Sequence, residues 1–416
     1  MDRDGKITTI ERDGSGKPKA IVGPFGQRTE LTVDANGYLK TITDPANGTY
    51  QLITTSDGLL TQFTDPKNNS SQFTYDALGR LTKDEDPLTA SSSLVRIDIP
   101  DGFNVTFKDA LNRTTLYQDK FFDSGEEQRL NTFPDGTQRS LNIRPDWSMS
   151  SVEPDGTTMD ILRSADPRFG MGAPVLKQQI VHTPGGLVST VETTRSASLL
   201  DPNNIFSFTN QTETLRLNGK NYTSVFDPSA RTWTSSTPEG RSMVATLNNK
   251  ERISQQQVPG IEPVLYSYDP QGRLVHTSQG TSPDERTIDM TYNPEGFLKD
   301  ITNTLGEKVS FLYDLKGRVT DQTLPDGRVI HYTYDANDNV TSITPPGRPA
   351  HAFDYTPLDL ESQYTPPDVN PGSDATLYSY NAARQINLIT RPDGATIDFN
   401  YDTAGRLGSV IVPNGQ

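Results

Sequence analysis

Residues 290–334 read MTYNPEGFLKDITNTLGEKVSFLYDLKGRVTDQTLPDGRVIHYTY, in which an aromatic run, a Gly-centred turn, an apolar run and a second Gly turn recur. The tyrosines that end the aromatic runs follow one another at a constant interval of 21 residues, apart from one interval of 25. They are Tyr292, Tyr313, Tyr334, Tyr355, Tyr380 and Tyr401. A period in this range indicates a repeat protein, in which each unit stacks on its neighbours.

The composition favours an ordered but thin structure. Apolar residues make up 32% of the chain, against roughly 45–50% in a typical globular domain, and there are 32 glycines and 30 prolines. So few apolar groups fit either a disordered chain or a folded layer that is wet on both sides. The 16 tyrosines and 16 phenylalanines sit at regular places, which favours the folded layer.

Charge and residue usage exclude several classes of partner. The net charge of −15 argues against nucleic acid and anionic membranes, since both require a basic surface. The chain has no cysteine and no apolar run approaching the roughly 20 residues of a membrane span. The start, Met1-Asp2-Arg3-Asp4, is unlike a signal peptide. Export of a parent protein would therefore depend on a signal outside this chain.

Two series of turns run in step along the chain. In the first, Gly37, Gly58 and Gly79 are 21 residues apart, and a second series contains Asp44-Pro45 and Asp65-Pro66. Two turns per 21 residues leave two strands of about seven or eight residues, an ordinary strand length. Each repeat is therefore predicted to be a β-hairpin, and Pro-Asp-Gly triplets elsewhere supply the fixed φ and then the positive φ of tight reversals.

Aromatic residues alternate in the strand before each turn of the first series. Pairs such as Phe311/Tyr313 and Tyr332/Tyr334 have a period of two, which places both rings on one face of a sheet and predicts aromatic ladders along stacked repeats. In the following strand the apolar residues are three apart, as in Val340/Ile343. That spacing predicts a β-bulge or a strong local twist.

The domain organisation follows from where the repeat is clear. Residues 1–90 and 261–416 carry clear repeats, whereas the tyrosine signature fades over 91–260 while Pro-Asp-Gly turns and alternation persist. We interpret 91–260 as degenerate repeats of the same continuous meander, with a longer loop at 164–186. A separate inserted domain in 91–260 is the alternative, and helix content there would favour it.

The repeated unit Tyr-Asp-x-x-Gly-Arg-Leu or Val, seen at 75–81, 268–274, 313–319 and 401–407, resembles the YD repeat of the RHS family. That family includes bacterial Rhs toxins, C components of Tc toxins and teneurins. The resemblance covers 1–86 and 261–416, and it implies an all-β antiparallel ribbon that spirals into a curved shell with inward-facing tyrosines. The positions that match the motif and would anchor the repeats are Tyr75, Gly79, Tyr268, Gly272, Tyr292, Gly296, Tyr313, Gly317, Tyr334, Tyr355, Tyr380, Tyr401 and Gly405.

The resemblance also implies a function. In the toxin branches the shell encloses a C-terminal effector, so the expected role is a non-enzymatic wall segment that shields a cargo polypeptide of an extracellular or cell-surface parent protein. The expected partners are the remaining shell repeats and that effector. The alternative is an adhesion or carbohydrate-binding module as in the teneurin-like branch, using exposed aromatics and loops such as 164–186. The family's plug segment, with its Gly-Arg-Phe and Asp-Pro-x-Gly type motifs, does not follow the last repeat at Val412-Pro413-Asn414-Gly415-Gln416, so we expect the chain to be a block of repeats from a larger protein.

Other candidate chemistry has simpler explanations. Residues 1–11 imitate the latter part of a calcium-binding EF-hand loop, yet they coincide with a repeat turn. The four histidines, His182, His276, His331 and His351, have no spacing that predicts convergence on a metal. A paired-carboxylate glycosidase site is a third hypothesis, although most aspartates occupy turn positions that favour backbone hydrogen bonding. We therefore expect no cofactor and no metal.

The repeat count also predicts self-association. About 20 units of 21 residues would give roughly 35–40 strands. The first and last strands of such a sheet would expose unpaired edges. We therefore expect this chain to associate through open sheet edges.

Overall fold

The protein is described by a computed structural model, which covers residues 1–367 and 374–413. In this part of the chain 36 β-strands account for the regular structure, and there is no helix. The strands are β1 Thr9–Arg12, β2 Pro18–Val22, β3 Arg28–Val33, β4 Leu39–Thr43, β5 Thr49–Thr54, β6 Leu60–Thr64, β7 Ser70–Tyr75, β8 Leu81–Glu85, β9 Ser91–Ile99, β10 Gly102–Lys108, β11 Thr114–Phe121, β12 Glu127–Thr132, β13 Gln138–Ile143, β14 Met149–Val152, β15 Thr158–Asp166, β16 Gly170–His182, β17 Val188–Leu199, β18 Phe208–Leu217, β19 Lys220–Asp227, β20 Thr232–Ser236, β21 Ser242–Leu247, β22 Ile253–Gln257, β23 Val264–Tyr268, β24 Leu274–Gln279, β25 Arg286–Tyr292, β26 Leu298–Asn303, β27 Lys308–Tyr313, β28 Val319–Thr323, β29 Val329–Tyr334, β30 Val340–Thr344, β31 His351–Tyr355, β32 Glu361–Thr365, β33 Thr376–Tyr380, β34 Ile386–Thr390, β35 Thr396–Tyr401 and β36 Leu407–Ile411.

The strands form one antiparallel sheet in which each strand pairs with its neighbour in sequence. The predicted all-β meander of hairpins is confirmed. Two compact units are present. The first consists of Met1–Val95, Thr106–Thr114 and Asp289–Gln416, and the second of Arg96–Val105 and Thr115–Ile288. No helix long and apolar enough to span a membrane occurs in the part of the chain that the structure describes.

A five-residue turn joins most of the strands. In residues 76–80 the Asp76 N–H donates to the Arg80 carbonyl at 2.9 Å, and the Gly79 N–H donates to the Asp76 carbonyl at 3.0 Å. The fourth residue has a positive φ, which favours glycine because a Cβ is strained there. The Pro-Asp-Gly turn at 324–328 has the same hydrogen bonds, with proline second and glycine fourth. Where glycine is missing, asparagine often takes the fourth position, as at Asn47.

A β-bulge follows each turn of the Tyr-Asp type. In the pair β29–β30, Tyr334 lies opposite Val340 while Thr333 lies opposite Ser342, so that Thr341 is the extra residue. The extra residue shifts the alternation by one, and Val340 and Ile343 therefore reach the same face although they are three apart. The same register shift occurs in the other clear repeats. The predicted bulge is thus present.

The sheet has almost no conventional core. Among the described residues, Ala20 and Ala245 are the only buried apolar residues, and no large side chain is fully buried. In strands such as β31 and β33 the residues on the aromatic face are half-buried, and those on the other face are exposed. The protein is stabilised by half-buried side chains on a single layer, as the low apolar content predicts.

The region 91–260 contains the strands β9 to β22 and, in the described residues, no helix. The predicted loop at 164–186 is wrong. Gly170–His182 is a 13-residue strand that pairs with both Thr158–Asp166 and Val188–Leu199, and only short turns interrupt the three strands. The Gly and Pro content suggested a loop, whereas the chain continues as a strand with a β-bulge at Lys177, where Leu162 lies opposite Gln178 and Arg163 opposite Leu176.

Candidate functional site: the turn seam and the tyrosine face

The tyrosine hydroxyl ties most of the clear repeats to the repeat before them. The Tyr334 hydroxyl donates to the Val319 carbonyl at 2.8 Å, fifteen residues earlier. Tyr380 reaches back nineteen residues to Glu361, because its repeat is four residues longer. The same hydrogen bond joins Tyr75 to Leu60, Tyr268 to Ile253, Tyr313 to Leu298, Tyr355 to Val340 and Tyr401 to Ile386. The phenol thus fastens successive hairpins together.

Where an aspartate follows the tyrosine, it organises its own turn. Asp314 Oδ1 accepts hydrogen bonds from the N–H groups of Lys316 and Arg318, and Oδ2 accepts from Arg318 Nε at 2.7 Å. Burial opposes ionisation of Asp314, yet the bonds from Arg318 outweigh it, so its pKa lies below the ordinary value. The carboxylate is therefore fully occupied with turn geometry. The same Asp–Arg pair occurs at Asp76–Arg80, Asp109–Arg113, Asp269–Arg273 and Asp402–Arg406.

Two turn glycines, Gly317 and Gly58, also receive a side chain from the preceding turn of the same series. A Cβ added to Gly317 would lie 2.5 Å from the Phe297 ring, and one added to Gly58 would lie 2.5 Å from the Tyr38 ring. Phe297 and Tyr38 are both the fifth residue of their turns. Glycine is thus required here for close packing as well as for φ.

Turns in residues 23–113 lie against turns in residues 293–406, and all of them belong to the first compact unit. We call this contact the turn seam. The hydrogen bonds across it join residues that are 268 or 272 positions apart in the sequence. The turns involved are 23–27, 44–48, 65–69, 86–90 and 109–113 on one side, and 293–297, 314–318, 335–339, 356–360, 381–385 and 402–406 on the other.

Lysine side chains carry charge across the seam. Lys316 Nζ lies 2.9 Å from Asp44 Oδ2 across the seam and also pairs with Asp338. The Lys316 and Asp44 side chains are only 11% and 13% exposed. Burial alone would lower the pKa of Lys316, but its bonds to the two carboxylates outweigh burial and hold that pKa above its ordinary value.

A second lysine bridges the next pair of turns from the opposite side. Lys67 Nζ donates to Asp335 Oδ2 at 2.8 Å and lies 3.6 Å from Asp359 Oδ1. Beside it, Asn337 Nδ2 donates to Asp65 Oδ2 at 2.6 Å. Burial opposes ionisation of Asp335, but the bond from Lys67 outweighs it and lowers the pKa of Asp335. The seam is therefore an alternating set of half-buried ion pairs.

Packing and further polar contacts extend the seam at both ends. The Phe25 ring lies on Gly296, where an added Cβ would meet it at 2.5 Å, and Gln27 donates to the Glu295 carbonyl. At the other end, Arg113 Nη1 donates to Gln385 Oε1 at 3.0 Å. A cavity of about 690 Å³ remains between 25–47 and 293–315, and its lining includes aromatic rings, carboxylates and amides.

The residues predicted as repeat anchors occupy two structural positions. The tyrosines end their strands: Tyr75, Tyr268, Tyr292, Tyr313, Tyr334, Tyr355, Tyr380 and Tyr401. The glycines have positive φ in the turns that follow: Gly79, Gly272, Gly296, Gly317 and Gly405. Each tyrosine lies in a different strand, and those from Tyr292 to Tyr401 follow one another along the sheet of the first unit.

The remaining candidate residues are dispersed. His331 contacts Asp321, and His351 Nδ1 lies 2.7 Å from the Tyr364 hydroxyl. Residues 2–6 form the ordinary five-residue turn, with Asp2 Oδ1 accepting from Asp4 and Lys6. Within the described ranges, no group of three or more His, Cys, Asp or Glu residues is placed to hold a metal ion.

Sequence reasoning did not predict the seam residues Asp44, Lys67, Lys316 and Asp335. A signal was present, because Lys67 and Lys316 stand at the third position of turns that begin with aspartate. A cation at the tip of an acidic turn suggests a partner elsewhere. The repeat pattern cannot indicate that this partner lies about 270 residues away.

The comparisons with known proteins agree with this architecture. Residues 1–364 match the family described as Teneurin YD-shell, and the chain belongs to that family. The predicted relationship to YD-repeat proteins is confirmed. The family and the observed sheet give the chain a shell-type structural role. No curated protein matches the chain.

Solved structures that match the chain include a complex of TcdB2, TccC3 and Cdc42, with 11% identity and a TM-score of 0.40. A Tc holotoxin pore from Photorhabdus luminescens has 11% identity and a TM-score of 0.38. Each match covers 98% of this chain, but only 29% and 27% of the respective solved chains. This chain thus spans less than a third of the length of those proteins.

Proposed function

We propose that this chain is a non-enzymatic wall segment of a YD shell that encloses and shields a cargo polypeptide. The turn seam carries the proposal. A sheet of one layer becomes a wider barrier when the edge turns of distant repeats join side by side, as Asp44 and Lys316 do. Such a wall can separate a polypeptide from solvent proteases without any chemical step. The partners are further shell repeats and an effector polypeptide of the parent protein, and the parent acts outside the cell or at its surface.

The state of the carboxylates supports a role without catalysis. A general acid at neutral pH requires a carboxyl whose pKa is raised well above its ordinary range. In the Tyr-Asp turns the opposite holds, because hydrogen bonds from the turn and from arginine lower the pKa of Asp76 and Asp402. Burial does raise the pKa of Glu361, but its cross-strand partner on β31 is Tyr355, not a second carboxylate. The carboxylates of Asp76 and Asp402 thus stabilise their turns by accepting hydrogen bonds.

The shielding role can be tested by electron microscopy of the full-length parent protein. We expect density inside a cavity lined by Tyr313, Tyr334 and Tyr401. A well-resolved shell without internal density, together with rapid proteolysis of the effector in the intact particle, would contradict the proposal. Particles with an opened seam, such as Lys316→Met, provide the control, since their cargo should be cleaved faster than in the unmodified parent.

Carbohydrate binding is the second candidate function. The cavity of about 690 Å³ at the seam favours it, because Phe25, Phe297 and Tyr313 line it together with carboxylates and amides. Such a combination of flat apolar rings and planar polar groups suits a sugar ring. The loop at 164–186 gives no support, since it is a hairpin. A glycan array with the purified chain tests this function. We expect no glycan to retain the chain. Retention that Phe297→Ala abolishes would instead support carbohydrate binding.

A further inference from the structure

A cavity of about 410 Å³ opens on one face of the second compact unit, and none of its lining residues belongs to the turn seam. The lining comes from the strands β18 to β21, the turn 237–241 and Val258, which follows β22. Neighbouring strands lie about 4.8 Å apart, so these four strands extend over roughly 14 Å across the sheet. A cavity of this volume fits a small organic molecule. Its shape favours a ligand that is longer than it is wide.

Two small side chains create the cavity. Ser224 on β19 lies directly opposite Ser235 on β20, and both line the cavity. Because side chains alternate along a strand, Tyr222 and Phe226 lie on the same face as Ser224, one on each side of it. The Phe226 ring contacts the ring of Trp233 on the neighbouring strand. Large residues thus flank two adjacent serines, and the face has a depression between them.

The walls of the cavity are apolar and accessible to solvent. Leu215 lies opposite Tyr222, and Met243 lies opposite Ser235. More than a third of the surface of each apolar lining residue is exposed, with 36% for Leu215, 37% for Tyr222, 36% for Met243 and 39% for Val258. A ligand that covers these side chains removes apolar surface from water, which favours binding of an apolar body.

The charged groups of the cavity favour an anionic ligand. Glu213 on β18 is already paired, because Arg195 Nε donates to Glu213 Oε2 at 2.8 Å. Arg241, directly before β21, pairs with no carboxylate in the part of the chain that the structure describes. The Ser224 and Ser235 hydroxyls make no hydrogen bond within the described ranges, so they are available to a ligand. A carboxylate matches the guanidinium of Arg241 in charge and in planar geometry.

We propose that this cavity binds a small carboxylate with an elongated apolar body, of the type of a medium-chain fatty acid. The carboxylate pairs with Arg241, and the apolar body lies over the two serines between Tyr222, Leu215 and Met243. The site belongs entirely to the second unit and involves no chemical step. It is therefore independent of the proposed shell role.

Calorimetric titration of the purified chain with decanoate, at concentrations below micelle formation, tests the site. We expect saturable binding of one decanoate per chain. Decyltrimethylammonium has a similar apolar chain and the opposite charge, and we expect it to bind at least about tenfold more weakly. A chain that does not bind decanoate, or that binds both amphiphiles equally well, would refute the proposal.

Three variants locate the bound decanoate. Arg241→Gln should weaken binding about tenfold, since it removes a charge-assisted hydrogen bond on an exposed turn. Ser224→Leu should abolish binding by filling the depression, and urea unfolding checks that this variant is folded. Lys220→Gln is the matched control, because Lys220 lies outside the lining and pairs with Glu239, and it should leave the affinity unchanged. Decanoate binding that Arg241→Gln does not weaken would overturn the proposal.

Discussion

The clear repeats and the degenerate region build the same meander with different contacts. In the clear repeats a phenol–carbonyl bond and a β-bulge accompany every Tyr-Asp turn, as with Tyr334 and Val319. From β11 to β15 the strands pair without any register shift and lack the motif. The five-residue turn is common to both regions, for example at 133–137. The turn therefore suffices for the meander, and the Tyr-Asp motif adds the bulge and the tie between hairpins.

The degenerate region compensates with side chains that pair across strands. Arg195 bridges Asp166, at 3.1 Å, and Glu213. The Phe226 ring contacts the Trp233 ring, with centroids 4.8 Å apart. Such cross-strand pairs need no bulge and no fixed period. This explains why the sequence period can fade while the sheet continues.

The largest difference in stability is expected when a turn glycine is replaced in a clear repeat and in the degenerate region. Gly317 and Gly136 have nearly equal φ, 83° and 82°, but only Gly317 has a ring against it. We expect Gly136→Ala to lower the free energy of unfolding by about 1–2 kcal/mol through backbone strain. Gly317→Ala should cost about 1–3 kcal/mol more, because Phe297 must move. Urea unfolding measures both.

A second substitution distinguishes packing from strain at Gly317. Phe297→Ala removes the ring that clashes with a Cβ at position 317. Gly317→Ala should therefore lower the free energy of unfolding less in the Phe297→Ala background than in the unmodified chain. If Gly317→Ala and Gly136→Ala cost the same, the ring contact has no energetic role. The clear and degenerate regions would then differ in their hydrogen bonds and not in the packing against their turn glycines.

Removal of the seam lysine should have the next largest effect. Lys316→Met leaves Asp44 without its cation, while Asp338 keeps Arg318 Nη1 at 2.7 Å, and the change should cost about 2 kcal/mol, between the values for buried and exposed pairs. Hydrogen exchange should rise in turns 44–48 and 314–318. In the second unit, Lys220 is 68% exposed and 3.9 Å from Glu239, so Lys220→Met should change stability by less than about 0.5 kcal/mol. Unchanged exchange at 44–48 would argue against the seam.

Acid should weaken the seam through its aspartates. The folded pKa of Asp335 is lowered, mainly because the bond from Lys67 overcomes burial, so its contribution is present above the unfolded pKa of 3.8 and is lost as the pH falls through the folded pKa. We expect the urea concentration at the unfolding midpoint to decrease once the pH is below about 4. Asp335→Asn should make this fall shallower. Equal slopes in both proteins would contradict the assignment.

Loss of a single tyrosine hydroxyl should have a smaller effect. Tyr334→Phe removes the bond to the Val319 carbonyl and should cost about 1 kcal/mol. Tyr222→Phe, on the exposed face of a degenerate strand, should be close to neutral. The two variants are compared by urea unfolding. If Tyr334→Phe leaves the free energy of unfolding unchanged, the Tyr334 ring stabilises the protein by packing and not by its hydrogen bond to the Val319 carbonyl.

Glu361 offers the smallest effect, and a stabilising one. It stands opposite Tyr355 at the bulge, where neighbouring repeats have Val340 and Ile386. Burial raises the pKa of Glu361, so its charged form destabilises the fold above that pKa and the cost disappears as the pH falls. Glu361→Leu should raise the melting temperature by roughly 1–2 °C at pH 7, and by less at pH 4. A decrease at pH 7 would refute this explanation.

Most of the local structure could be predicted from the sequence. The 21-residue interval between Tyr313 and Tyr334 predicted the hairpin, and the spacing of Val340 and Ile343 predicted the bulge. The exception is 164–186, where glycine and proline suggested a loop but the chain forms a 13-residue strand that pairs with both of its neighbours. Turn and strand patterns act over a few residues, and there the local preferences decide the outcome.

By itself the sequence determined the repeat, the strands, the positive-φ turn positions and the face on which the tyrosines lie. Only the tertiary structure decided that the turn of Asp44 meets the turn of Lys316, and that the Phe25 ring covers Gly296. The physical reason is that every repeat presents nearly the same turn. Which two turns become neighbours depends on how far the sheet bends over about 270 intervening residues, and this sum of small twists is not written in any single repeat.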